Sequence, residues 1–151
     1  MATITVGADD ATAVTEALVA ALRGRGYEVI VHGAPGGERA SWAEVGERVG
    51  RDVAEGRAES GIACCYTGTG VSIAANKVPG VRAALCRDAE TARGARQWND
   101  ANVLCLSLDR VRPEELPGLL DAWLADTPVD PEERPAIEHV ISLENPAGWE
   151  D

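Results

Sequence analysis

Short apolar runs and amphipathic stretches alternate along the chain. Residues 3–6 read as a first strand ending at Gly7, and residues 12–25 follow as a helix. That helix carries Val14, Leu18, Val19 and Leu22 at helical spacing and stops at Gly26. Residues 28–31 make a second strand, and a glycine- and proline-rich loop over 33–37 leads to a helix over about 41–55. A third strand over 61–66 runs into the tight turn Thr67-Gly68-Thr69-Gly70 and a short helix through Lys77. The pattern continues with a strand over 81–86, a helix over 88–97, a strand over 103–106 and a helix over 113–125. Pro128, Pro131 and Pro135 then break the chain before a last helix over about 136–143.

Strand–helix alternation with short connections implies right-handed crossovers. The expected fold is α/β: a Rossmann-like, doubly wound, five-stranded parallel sheet between two helical layers, built as one domain over 1–151. The C-terminal helix, about 131–145 with its approach, is expected either to pack on a partner subunit or to be a solvated tail. In such sheets ligands bind beyond the carboxyl ends of the strands. The segments to watch are therefore 7–10, 65–70, Asp88 and its neighbours, and the loop after the fifth strand.

Composition narrows the function. The net charge of -11 argues against nucleic acid, since no basic run replaces the counterions of phosphates, and against anionic membrane surfaces. The first residues show no signal-peptide pattern, and no apolar run is long enough to span a bilayer. The four cysteines, Cys64, Cys65, Cys86 and Cys105, lack metal spacing and sit in or beside apolar runs. They read as reduced, mostly buried thiols of a cytoplasmic protein without metal or cofactor. Phe is absent, so the core must be built from Val, Leu, Ile and Ala. A nucleotide-binding fingerprint is missing, because the glycines follow the third strand rather than the first.

The strongest chemical signal is the loop running from Thr67 through Gly68, Thr69, Gly70 and Val71 to Ser72. Glycines let backbone approach a ligand, and amides at a helix N-terminus suit an anion or a developing enolate oxygen. Alone, the loop reads more readily as a plain strand-to-helix turn needing glycine. The longer string changes this: Cys65, the glycine loop, Ile73-Ala74-Ala75-Asn76-Lys77, then Gly80-Val81-Arg82-Ala83. Together with Gly7-Ala8-Asp9, Arg96-Gln97 and Asn99-Asp100-Ala101-Asn102, it resembles the ribose-5-phosphate isomerase B and galactose-6-phosphate isomerase family over nearly the whole chain.

The resemblance implies interconversion of aldose and ketose phosphates through an enediolate. In many members the base is a cysteine aligning with Cys65. Thr67 and the amides from Gly68 to Ser72 would then stabilise the oxyanion. It also implies a homodimer, or a dimer of dimers, with sites shared between subunits. In that case Trp98 and Arg134 come from the subunit opposite Cys65, and Asn99 belongs to the same family segment.

Three positions depart from the family pattern. A phosphate-holding histidine is replaced by Asp10, and a histidine that assists ring opening by Trp98. An arginine of the last helix becomes Glu138, while Arg134 is kept. Ring opening by the usual acid/base route is then lost unless Asp9 or Asp10 supplies it, since indole cannot shuttle a proton near neutrality. Two carboxylates beside a phosphate dianion cost roughly several kcal/mol at low effective dielectric. The expected substrate is therefore a sugar or sugar-like compound with a neutral or cationic group facing Asp10 and Glu138. Trp42 and Trp98 would supply a stacking wall. His32 and His139 match no site position and are read as surface residues. The competing readings are a non-catalytic subunit, including one of a hetero-oligomer, and a ligand-binding protein that has lost isomerase activity.

Overall fold

The computed structural model describes residues 2–145 and 147. Strands β1 (Thr3–Ala8), β2 (Glu28–Gly33), β3 (Ser60–Cys65), β4 (Ala83–Leu85) and β5 (Val103–Ser107) form one sheet in the order β2-β1-β3-β5-β4. Every pairing is parallel. Six helices connect and cover it: α1 (Ala13–Gly24), α2 (Trp42–Ala54), α3 (Thr69–Asn76), α4 (Ala89–Asn99), α5 (Leu116–Leu124) and α6 (Arg134–Ser142). The three-layer architecture is the one the alternation implies.

Side chains alternate across the sheet. Ile4, Val6, Ile62, Cys64, Leu104 and Leu106 pack with α1, α4 and α5, where Val14, Leu18, Leu22, Leu119 and Trp123 are buried. The Trp123 indole donates to Ser60 Oγ at 3.2 Å, and Arg96 lies 5.3 Å from its ring centroid. On the other face Ala63, Cys65, Val103 and Cys105 meet Val45, Val49, Val71 and Ala75 of α2 and α3. That second layer lies close to the sheet and is close-packed within itself. A Cβ at Gly61 would come 2.6 Å from Val49 Cγ1, and one at Gly46 would come 2.6 Å from Ala74 Cβ.

One buried polar cluster pins α2 to the sheet. The Asp52 carboxylate, 7% exposed, accepts from Thr5 Oγ1 at 2.7 Å and Arg57 Nε at 2.8 Å, and His32 Nε2 lies 2.6 Å away. Burial alone would push this carboxyl up; hydrogen bonds from Arg57, His32 and Thr5 outweigh it and hold the group below its ordinary value. His32 is therefore no surface residue, in contrast to the sequence reading. Its strand runs two residues further than expected, which carries its ring to Asp52.

Other boundaries also differ for local reasons. Pro113 and Pro117 split the fifth helix into a 3-10 turn followed by α5, and Pro131 and Pro135 do the same before α6. Strand β4 is only three residues long and forms an edge of the sheet. Asn76 covers that edge: its amide donates to Ala83 O at 3.0 Å and accepts from Ala83 N at 2.8 Å. Ile137 of α6 is buried, whereas Val140 and Ile141 are exposed. Among the described residues no helix is long and apolar enough to cross a membrane.

Candidate active site

The strand order reverses between β1 and β3, which places a crevice at their carboxyl ends. Asp9 follows β1 directly and Cys65 closes β3, so both border that crevice. Cys65 is 5% exposed on the α2/α3 face. The chain after β5 is tied over it: Leu108 N donates to Cys65 O at 2.9 Å, Asp109 N to Tyr66 O at 3.1 Å, and Ser107 Oγ to Tyr66 O at 2.8 Å.

Beyond Cys65 the glycine loop turns into α3. Gly68 is the N-cap, with a left-handed φ of 77°. A Cβ there would lie 2.5 Å from Leu85 Cδ1 and 3.0 Å from the backbone of Leu106 and Ser107, so both conformation and space demand glycine. The helix begins at Thr69, inside what the sequence suggested was all turn. The amides of Thr69, Gly70 and Val71 thus open a helix and have no acceptor within it. Trp42, at the start of α2, lies against Gly70: a Cβ on Gly70 would sit 2.7 Å from the indole. The Thr67 and Thr69 hydroxyls share a 2.7 Å hydrogen bond.

The Ser72 amide donates to Gly68 O at 3.4 Å, in the first turn. Burial pushes the Cys64 thiol up to about 12 and Cys86 to about 11, and raises Cys105 further. Burial thus disfavours the thiolate form of all three. All four cysteines are free and buried, as the composition suggested. Asp9 is raised above its ordinary value by burial and by the neighbouring Asp10 charge, against a lowering contribution from a backbone hydrogen bond. Asp10 accepts from the Ala11 amide at 2.9 Å.

The remaining candidates stand at the other end of the sheet. Helix α4 runs back along it, and its end is locked to the start of β4: Arg82 Nε donates to Asp100 O at 2.7 Å, and Arg82 N to Asn102 Oδ1 at 2.7 Å. Trp98 and Asn99 are on that end, about 13 Å below Cys65 if four strand residues at ~3.3 Å separate the levels. Arg134 approaches Asp100 at 4.0 Å, and Glu138 is exposed on α6. Trp98 and Asn99 line a groove of about 710 Å³ with Arg82, Ile137 and Val140. Within one chain, then, Cys65, Thr67, the loop, Asp9, Asp10 and Trp42 come together, while Trp98, Asn99, Arg134 and Glu138 form a separate set.

The sequence reading missed one residue at the first set. Asp109 lines a cavity of about 530 Å³ with Asp9, Asp10, Thr12, Tyr66 and Leu108. The signal was available, because the loop after the fifth strand lies on the ligand-binding edge. Among the described residues no cluster of three or more His, Cys, Asp or Glu is arranged to hold a metal.

A parallel α/β sheet with a thiol, an aspartate and a helix-opening glycine loop at its switch point defines a class of small-molecule enzymes. The chain belongs to the ribose/galactose isomerase family, whose model matches residues 4–139. It is 37% identical over 127 residues to ribose-5-phosphate isomerase B of Escherichia coli, covering 84% of this chain and 85% of that protein. To D-erythrulose-4-phosphate isomerase of Pectobacterium atrosepticum it is 34% identical, covering 82% and 83%. The solved structure of Clostridium thermocellum ribose-5-phosphate isomerase B superposes with a TM-score of 0.87 at 35% identity, covering 94% of this chain and 97% of that one.

Proposed function

We propose that this protein is an aldose–ketose isomerase that works through an enediolate and acts in carbohydrate metabolism in the cytoplasm. Cys65 is the base that moves the proton between the two carbons of the substrate. The amides of Thr69, Gly70 and Val71, with the Thr67 hydroxyl, receive the charge that develops on oxygen. Asp9 carries the proton for ring opening, a role its raised value suits near neutrality better than an ordinary carboxylate would. The observation that carries this reading is the placement of Cys65 and the α3 N-terminus together at the switch point, beside Asp9.

The second set of residues completes the site from a second copy of the chain. Two half-sites at opposite ends of one sheet can meet only between subunits, and the half-exposed Trp98 and the apolar residues of α6 suit such an interface. Helix α6 then packs across the partner. The substrate is a sugar or sugar-like α-hydroxycarbonyl compound. Its end remote from the reacting carbons meets a rebuilt phosphate region, with Asp10 and Glu138 where the family presents basic groups.

The test is solvent-deuterium exchange followed by NMR, with ribose 5-phosphate and a panel of aldoses and aminosugars. Incorporation beside the carbonyl, falling at least ~100-fold in Cys65→Ser, is expected of a lost general base. Exchange that persists in Cys65→Ser refutes the assignment of the base.

A further inference from the structure

Among the described residues Tyr66 is the most exposed of the large apolar side chains, at 68%. Its ring belongs to neither core cluster. The backbone beneath it is fixed: Tyr66 O accepts from Ser107 Oγ at 2.8 Å and from Asp109 N at 3.1 Å, and Cys65 O accepts from Leu108 N at 2.9 Å. None of these bonds uses the phenol, so a small residue would serve the turn equally well. The chain nevertheless plants a bulky aromatic directly between Cys65 and Thr67. The ring stands on the α1 side of the sheet edge, bordering Asp9, Asp10 and Thr12, while the half-exposed Trp42 lies against Gly70 on the α2 side. A sugar with its reacting carbons at Cys65 and its remote end toward Asp10 must run past Tyr66.

We infer that Tyr66 is a specificity-determining residue: its ring bounds the space beyond the reacting carbons, admitting aldose phosphates of four or five carbons and excluding six-carbon ones. A planar ring with two side-chain torsions on an anchored backbone is a wall rather than a flexible cover. This rests on the isomerase reading and goes further by naming the size class of the substrate and the residue that sets it.

The experiment measures kcat and KM for erythrose 4-phosphate, ribose 5-phosphate and allose 6-phosphate, which share one configuration and differ by one carbon each. The proteins are wild type, Tyr66→Ala, Tyr66→Phe and Tyr66→Trp. Wild type is expected to disfavour allose 6-phosphate against ribose 5-phosphate by at least about tenfold in kcat/KM, the usual cost of one carbon too many in a fixed pocket. Tyr66→Ala should remove that difference, chiefly through KM, and melt with wild type, because an exposed ring outside the core is lost. Tyr66→Phe keeps the ring and should keep the discrimination. Tyr66→Trp adds bulk and should move the preference toward erythrose 4-phosphate, so the inference is tested from both directions. A wild type that takes allose 6-phosphate as readily as ribose 5-phosphate, or a Tyr66→Ala protein that loses activity on all three in proportion, overturns the inference and leaves the isomerase standing. A wild type that turns over none of the three overturns the isomerase reading and this inference together.

Discussion

Gly46 is where α2 crosses α3, and replacing it with alanine sets two effects against each other. In an exposed helix interior Gly→Ala gains up to about 1 kcal/mol of helix propensity. Here the new methyl would lie 2.6 Å from Ala74 Cβ, 2.8 Å from Val71 O and 3.0 Å from Ala75 N. Carbon atoms in contact settle near 3.5–4.0 Å, so the helices must separate by roughly 1 Å. The obstacles are mainly helix backbone, which does not rotate away. Overpacking of this kind costs about 1–3 kcal/mol, and with no flexible side chain to yield, the upper end applies. The net loss is about 2 kcal/mol, or a fall in Tm of roughly 4–8 °C at this chain length. Gly118→Ala in α5, where nothing lies within 4 Å of the added carbon, is the control and should gain up to about 1 kcal/mol. Thermal and urea denaturation followed by circular dichroism measure both. Since α3 begins with the Gly68–Ser72 amides, Gly46→Ala should also lower kcat on whatever sugar the wild type turns over. A Gly46→Ala protein as stable as wild type, beside a control that gains as expected, would show that the tight crossing does not limit this fold.

Asp52→Ala removes the shared partner of Thr5, His32 and Arg57, and by analogy with breaking a buried pair should cost about 3 kcal/mol at pH 7, read by urea denaturation. Asp52 is held below its ordinary value of 3.8, so its contribution is fully present above that pH and fades as pH falls through the lowered native value. Asp52→Asn should therefore flatten the acid limb of the stability curve below about pH 4, and an unchanged limb would assign acid lability elsewhere. Asn76→Ala uncovers Ala83 N and O on the β4 edge; a loss of about 1 kcal/mol is expected, with light scattering that rises with protein concentration. Equal scattering by mutant and wild type would mean the edge is protected by other means.

The fold was legible because its signals are local. Apolar runs, helical spacing and glycine stops repeat in sequence order, and parallel sheets of this kind follow from alternation alone. The heart of the site was legible for the same reason, since Cys65, Thr67 and the glycine loop are contiguous. Contacts between distant segments were not. His32 and Asp52 are twenty residues apart on different elements, yet a hint existed: Asp52 follows Val45 and Val49 at helical spacing, on the buried stripe of α2, where a carboxylate demands partners. The loop that carries Asp109 was marked as lying on the ligand-binding edge, but nothing in the chain order says which of its residues folds back over Tyr66. The family string was read for its resemblance; in the structure Asn76, Arg82 and Asn102 use their side chains to bond the backbones of Gly80, Arg82, Ala83 and Asp100 and hold the β4 end of the sheet together.

Cys64 and Cys65 are chemically identical neighbours, and the pleat sends them to opposite sides of the sheet. One is entombed among Ile, Leu and Val beneath α1 and α5, where its proton is all but permanent; the other reaches the crevice. On the proposed reading of Cys65 as the base, the identity of the working thiol is encoded by parity, not by residue type. A single-residue insertion early in β3 would move Cys64 into the Cys65 position at the crevice, whereas a deletion would bring Tyr66 there. In this strand the doubled cysteine keeps a thiol at the crevice through an insertion that would displace a single one, while every flanking side chain would be turned to the wrong layer.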